Sequence, residues 1–414
     1  MPHLVEGCPT CRLTWQEAER ELASGLVPDG QHESPLEQRV RELQTSQSPR
    51  AERLLKRSLR ELLSAPAEHR IARIEGATRW YRSPLAALSL LERAREAMPE
   101  EPSEAEHFAR LAWAVAKKHQ ESVRLGLEAL ACAHVANAVR ARGDVAGAEH
   151  LMARARRRLD EAQSVDPLIL AEIDLFEGVL RQNQNRFEEA AWLLTGAISR
   201  YRRYGRRQKL VESLMALANV QVFEGDPCRA LETLQEAILL IDREREPKLY
   251  LYARHNMVFY LCDAGEHAEA RRVFEDNRRL YGPSPERWMR LRVAWLEGKI
   301  ARAHGEFPDA ERLFRQVVAG FARAGTGYDS ALASLDLAEL YLASGQPGKL
   351  RAMVQGVEVI LRSKELHREA TGAVVLFKKA LADELVSRNL LEHVRAYLES
   401  VRANPSLHFE PSPS

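Results

Sequence analysis

The sequence predicts an all-α fold, an α-solenoid of stacked antiparallel helix pairs. The first observation behind this is a recurring turn residue. Gly143, Asn185, Gly225, Gly265, Gly305 and Gly345 follow one another at intervals of 42, 40, 40, 40 and 40 residues. A fixed period of this size marks repeated supersecondary units, each stacked on the next. The second observation is the register inside each interval. Five residues after the turn stand Ala148, Ala190, Ala230, Ala270 and Ala310, then Leu350. Nine after it come Met152, Leu194, Leu234, Phe274, Phe314 and Val354, and twelve after it Ala155, Ala197, Ala237, Asn277, Val317 and Val357. Seven before it, on the first helix of the pair, are Ala136, Gly178, Ala218, Gly298 and Ala338. Small residues let two helices approach closely, and the large residue one turn on fills the space between them. Glycine at the turn takes the left-handed conformation that ends a helix, with asparagine its usual substitute.

Taken in order, residues 1–22 contain the motif His3-x4-Cys8-x2-Cys11. Two cysteines at this spacing suit two corners of a tetrahedral zinc site, so His3, Cys8 and Cys11 are the candidate metal ligands. A reduced cysteine pair at a frayed terminus is the alternative. Residues 23–50 carry Gly25, Pro28, Gly30, Pro35 and Pro49 among polar residues and are expected to be a flexible linker. Residues 51–125 are expected to hold N-terminal helices with a degenerate leading repeat. Its pair is placed at Glu68–Tyr81 and Pro84–Met98, and a further helix is capped by Ser103 with Glu106 completing a capping box. Residues 126–362 form six regular repeats beginning at Gly126. Pro227, Pro308 and Pro347 fall in the first turn of second helices, where a missing N–H costs nothing. Residues 363–402 are expected to cap the open end, and 403–414, with three prolines, to be a disordered tail.

The register of small residue, turn, alanine and large residue resembles the tetratricopeptide repeat (TPR), lengthened to about 40 residues per unit. That resemblance covers Gly126 to about Leu361 and implies a right-handed superhelix whose first helices line a concave groove. The motif at His3, Cys8 and Cys11 resembles the N-terminal zinc-binding segment of bacterial anti-sigma factors, with one extra residue after the histidine and no ligand upstream. The whole layout resembles bacterial TPR proteins preceded by a degenerate segment of that kind. It implies fold and a binding role, and no reaction.

The same resemblance places the partner in the groove. Asn137, Arg140, Asn219, His255, Asn256, Lys299 and Arg302 are the candidate site residues, with Phe259, Arg292, Trp295 and Asp336 on the same helix faces. An asparagine amide donates and accepts at once, so successive asparagines can clamp an extended peptide backbone. Lys299 and Arg302 can receive carboxylates. Solvated polar residues on helix surfaces would give the same pattern.

These features favour a non-enzymatic scaffold or adaptor for a protein or peptide segment. The alternative is a regulator of the anti-sigma-like class with a partial zinc site. A third function, nucleic-acid binding, rests on Arg200–Lys209, which packs six basic residues with Tyr201 and Tyr204. The net charge of +1 gives no global attraction to nucleic acid or membrane. No apolar run is long enough to span a bilayer and no secretory signal opens the chain. Five scattered cysteines make no disulfide framework, so a reducing cytoplasm is expected. No phosphate-binding loop, His-Glu-x-x-His or Gly-x-Ser-x-Gly is present. His255 and Cys262, seven residues apart on one helix, are expected to be groove and core residues rather than a base and nucleophile. No cofactor is expected apart from zinc at the N-terminus.

Overall fold

The computed structural model describes residues 33–350, except 36–37, 39–41, 43–48, 77–83, 163–164, 185, 283–286 and 325–326. The motif at His3, Cys8 and Cys11, the expected cap at 363–402 and the tail at 403–414 lie outside the described residues. Among the described residues every regular element is an α-helix. The chain divides into two compact units between Val220 and Gln221.

The N-terminal unit contains α1 (Pro49–Leu63), α2 (Ala67–Gly76), α3 (Pro84–Ala97), α4 (Pro102–Ala116), α5 (Glu121–Ala141), α6 (Val145–Asp160), α7 (Pro167–Asn183) and α8 (Phe187–Arg203). The boundary falls within α9 (Arg207–Phe223). The C-terminal unit continues with α10 (Pro227–Leu240), α11 (Pro247–Asp263), α12 (His267–Asn277), α13 (Arg287–Ala303), α14 (Phe307–Ala324) and α15 (Gly327–Ala343). Helix pairs α3–α4, α5–α6 and α7–α8 pack in the first unit, and α11–α12 and α13–α14 in the second.

The turns follow from the glycine register. At Gly225, with φ of 84°, the chain is in the left-handed region that side chains avoid. The following Asp226 N–H then donates to Gln221 O at 2.9 Å, and Gly225 N–H to Val222 O at 3.0 Å. This bond pattern closes the helix end by satisfying carbonyls that have no intrahelical partner. It recurs at Glu266 N to Leu261 O and Glu306 N to Ala301 O, both 2.9 Å. Asp226 also caps the next helix, its Oδ1 accepting from Arg229 N at 3.0 Å, as Asp144 Oδ1 accepts from Gly147 N at 2.8 Å. A single aspartate after the glycine therefore starts the return helix.

The packing register is also as expected. Ala148, Ala190, Ala230, Ala270 and Ala310 are fully buried, and Met152, Leu194, Leu234, Phe274 and Phe314 are buried beside them. Small meets large directly. A Cβ added at Gly178 would sit 2.8 Å from Leu194 Cγ, and one at Gly298 would sit 2.8 Å from Phe314 Cε1. The one polar residue in the register, Asn277, is buried and satisfied. Its Nδ2 donates to Arg254 O at 3.0 Å, and its Oδ1 accepts from Arg254 Nε at 2.9 Å.

The structure differs from expectation at the start of the array. The leading pair is α3–α4, and α2 packs against α1 and α4. Glu100 and Glu101 make a turn without glycine, while Ala105, Ala109 and Ala112 still supply the buried small face. Ser103 does not cap. Glu101 is the N-cap and Pro102 takes the first helical position, so the helix starts two residues earlier and Glu106 pairs with Arg110 and Arg142 instead. The following first helix begins at Glu121, with Gly126 inside it. An added Cβ at Gly126 would meet Ile169 Cδ1 at 3.3 Å, so this glycine makes room for the neighbouring first helix.

Gly298→Ala should lower stability by a net of about 1–2 kcal/mol in urea denaturation, although alanine is the better helix former. Adding Phe314→Leu to the same chain should recover part of the loss.

Candidate functional site

First helices of successive pairs stand side by side, α3, α5 and α7 in the N-terminal unit and α11, α13 and α15 in the C-terminal one. Their shared faces carry the candidate residues.

In the N-terminal unit, Arg95 on α3 donates from Nε and Nη2 to the two oxygens of Glu172 on α7, each at 2.8 Å. His134 on α5 lies between them. Its Nε2 is 3.2 Å from Glu172 Oε1 without hydrogen-bond geometry, and its ring meets Phe176 edge-on at 4.9 Å. Burial would raise the Glu172 pKa, but Arg95 and His134 hold it well below the usual carboxylate range. Burial lowers the His134 pKa against the pull of Glu172. Asn137, on the same helix as His134, is nearly buried. Its Oδ1 accepts from Arg140 Nε and Nη2 at 3.1 and 2.9 Å. The amide oxygen is thus committed, and the Nδ2 edge is the one turned to other work. Asn219 is half-buried and has a contact of its own within the chain.

In the C-terminal unit, the α11 and α13 faces meet in rungs. The Tyr252 and Trp288 rings lie 5.7 Å apart. Lys299 Nζ sits 4.3 Å from the Phe259 ring centroid and 3.1 Å from Asp263 Oδ1. From α13 to α15, Arg302 Nη1 pairs with Glu339 and lies 3.9 Å from Asp336 Oδ1, while Trp295 Nε1 donates to Asp336 Oδ2 at 2.6 Å. Lys299 and Arg302, expected to receive a partner's carboxylates, are therefore matched inside the chain. Asn256 is half-buried and Arg292 exposed. His255 departs from the groove expectation. It is 7% exposed, with Nδ1 3.3 Å from Tyr281 OH, because Asn256 takes the open face and the adjacent residue must turn inward.

Three of these contacts share an offset, while Phe259 and Lys299 are 40 residues apart and Trp295 and Asp336 are 41. His134 and Glu172 are 38 residues apart where the turn-to-turn interval is 42. Tyr252 and Trp288, like Asp263 and Lys299, are 36 apart where it is 40. Each side chain meets its neighbour about one helical turn back, which is how i±4 ridges interlock. Tyr252 and Trp288 were not among the candidates. An aromatic pair 36 residues apart is a signal only once that offset is known.

The basic stretch has most of its groups engaged. Arg200 Nη1 binds Asp174 Oδ2 at 2.8 Å, Lys209 binds Glu212 at 2.7 Å, and Tyr201 is buried. Arg202, Arg206 and Arg207 have contacts within the chain as well. This ties up five of the six cations and one of the two rings that nucleic-acid binding calls on, leaving Arg203 exposed and Tyr204 half-buried. Burial pushes the Cys262 thiol up to about 12, and His255 is tied to Tyr281, so the two form no activated nucleophile–base pair. Among the described residues no group of three His, Cys, Asp or Glu side chains could hold a metal, and no helix is long and apolar enough to cross a membrane.

Solved structures share this architecture. A Rap protein complexed with competence and sporulation factor gives a TM-score of 0.61 at 15% identity, over 78% of this chain and 88% of that one. The apo form of RapI gives 0.49 at 11% identity, over 84% and 97%. A tetratricopeptide repeat protein from Parabacteroides merdae ATCC 43184 gives 0.42 at 15% identity, over 67% and 99%. The first likeness shows a common helical-repeat fold. No family model matches the chain, and no curated protein matches it in sequence.

Burial, with the Arg292 charge, lowers His255 from 6.5 to about 4. The unfolded chain takes up this proton near pH 6.5 and the folded chain does not, so the stability it contributes is present above 6.5 and lost as pH falls toward 4. Between pH 7 and 5 the loss from this group should be about 2 kcal/mol. Urea midpoints should therefore fall more steeply with acid in the wild type than in His255→Gln, which keeps a hydrogen-bonding partner for Tyr281.

Proposed function

We propose that the chain is a non-enzymatic scaffold that binds an extended peptide or protein segment along the first-helix faces of its helix pairs. The observation that carries this is the side-by-side alignment of α11 and α13. It presents Asn256, Phe259, Trp288 and Arg292 on one face, with Phe259 and Asn256 half-buried and Trp288 42% exposed. An extended segment needs backbone donors and acceptors plus apolar seats for alternate side chains, and amides interleaved with aromatic rings supply both. In the N-terminal unit Asn137 serves the same end, its free edge a donor oriented by Arg140. The Rap protein solved with competence and sporulation factor supports a binding role for a fold of this kind. Scattered cysteines, two of them buried free thiols, suit a reducing cytoplasm.

Binding can be tested with the immobilised protein and a randomised library of C-terminally amidated peptides. The variant Asn137→Ala, Asn219→Ala, Asn256→Ala, with unchanged helicity and melting, should recover peptides about tenfold less well than the wild type, each lost amide contributing on the order of 0.5–1 kcal/mol. Equal recovery by both would move function off the first-helix faces.

A further inference from the structure

We propose that the C-terminal unit anchors its segment by a side-chain carboxylate, an aspartate or glutamate, held between Arg292 and Asn256 with an adjacent apolar residue on Trp288 and Tyr252. This rests on the peptide-binding function proposed above and names the chemistry of the bound segment.

The register places the two polar residues together. Tyr252 meets Trp288 and Asp263 meets Lys299, each pair 36 residues apart on α11 and α13. Asn256 and Arg292 are 36 residues apart and fall between those rungs. On α11, Tyr252, Asn256, Phe259 and Asp263 follow the spacing of one helix face, as do Trp288, Arg292, Trp295 and Lys299 on α13. By this register the middle rung sets a guanidinium residue opposite an amide residue.

Charge then selects the ligand. Every other cation on this face has a carboxylate in the chain: Lys299 has Asp263, and Arg302 has Glu339 and Asp336. Arg292 is exposed, and neither it nor Asn256 has a hydrogen bond or ion pair among the described residues. His255 beside them stays neutral. Among the described residues of this face Arg292 is then the cation left without a carboxylate, presenting a planar fork of donors that fits one with two parallel bonds. The Asn256 amide adds a further donor. The Tyr252–Trp288 pair one turn away gives an aromatic seat, with Trp288 42% exposed.

The carboxylate comes from a side chain rather than a peptide C-terminus. One means of capturing a C-terminus is a nest of unpaired backbone N–H groups. Asn256 and Arg292 lie inside α11 and α13, where backbone N–H groups are spent on the helix. The rungs on either side also let the ligand chain run past.

The test uses mixtures of acetylated, amidated peptides, random except for a fixed central Glu, Gln or Lys, captured on the full-length protein. The wild type should retain the Glu mixture about fivefold over the Gln mixture, and Lys least, as expected of a partly exposed Arg–carboxylate pair. Arg292→Gln should bring Glu down to the level of Gln and leave Gln retention unchanged. Arg292→Glu should reverse the order in favour of Lys. The proposal is overturned if Glu and Gln are retained equally by the wild type, or if the Glu preference survives both substitutions. It is also overturned if Gln-centred peptides with a free C-terminus match the amidated Glu mixture. In those cases, retention that still depends on Asn137, Asn219 and Asn256 leaves peptide binding intact and removes only the anchor. Retention no better than that of the triple alanine variant for every mixture removes both.

Discussion

Neighbouring first helices are set back from one another by about one helical turn, and the arrangement of the candidate face follows from that slide. A repeat of 40 residues with contacts at 36 draws diagonal rungs from helix to helix, beside level ones such as Phe259–Lys299 at 40. The slide is fixed from behind the face. Gly178 receives Leu194 and Gly298 receives Phe314, so α7 and α13 lie against their second helices at a distance that leaves no room for a methyl group. Ridges spaced four residues apart can then interlock between successive pairs only in certain registers. The proposed middle rung of amide and guanidinium would owe its pairing to this packing, not to any contact between the two groups.

Charge is handled strictly. Helix α7 buries Glu172, Asp174 and Glu177, and each is met by arginines from other helices, Arg95 from α3, Arg156 from α6 and Arg200 from α8. Removing a carboxylate from water is costly, and an unpaired one at these sites would cost several kcal/mol. The ion pairs therefore hold α7 to its neighbours through the penalty for breaking them more than through net attraction. Against that background of matched charge, an exposed arginine without a partner on an aligned face stands out as a place for an incoming group.

Much of the fold was legible because glycine and alanine act locally. Gly225 needs a left-handed φ and Ala230 needs a close neighbour, and both requirements are written in the residue itself. Where a different residue solved the same problem, legibility fell. Glu100 and Glu101 turn the leading pair without glycine, and Gly126 looked like a boundary but serves packing against Ile169. The candidate site was legible in part. Asn256 was recognisable as a groove candidate and Arg292 as a residue of the same helix faces. The burial of His255, the capture of Lys299 by Asp263 and the aromatic pair Tyr252–Trp288 were not. Those depend on the slide between helices, a tertiary quantity that the period of one chain does not encode.

The most direct test of the first-helix face is hydrogen–deuterium exchange of the full-length protein, alone and with a single glutamate-centred peptide recovered by capture. Added protection should concentrate in α11 around Asn256 and Phe259 and in α13 around Trp288 and Arg292, with the second helices α12 and α14 unchanged. Protection confined to α12 and α14, or absent from α11 and α13 at saturating peptide, would contradict the account.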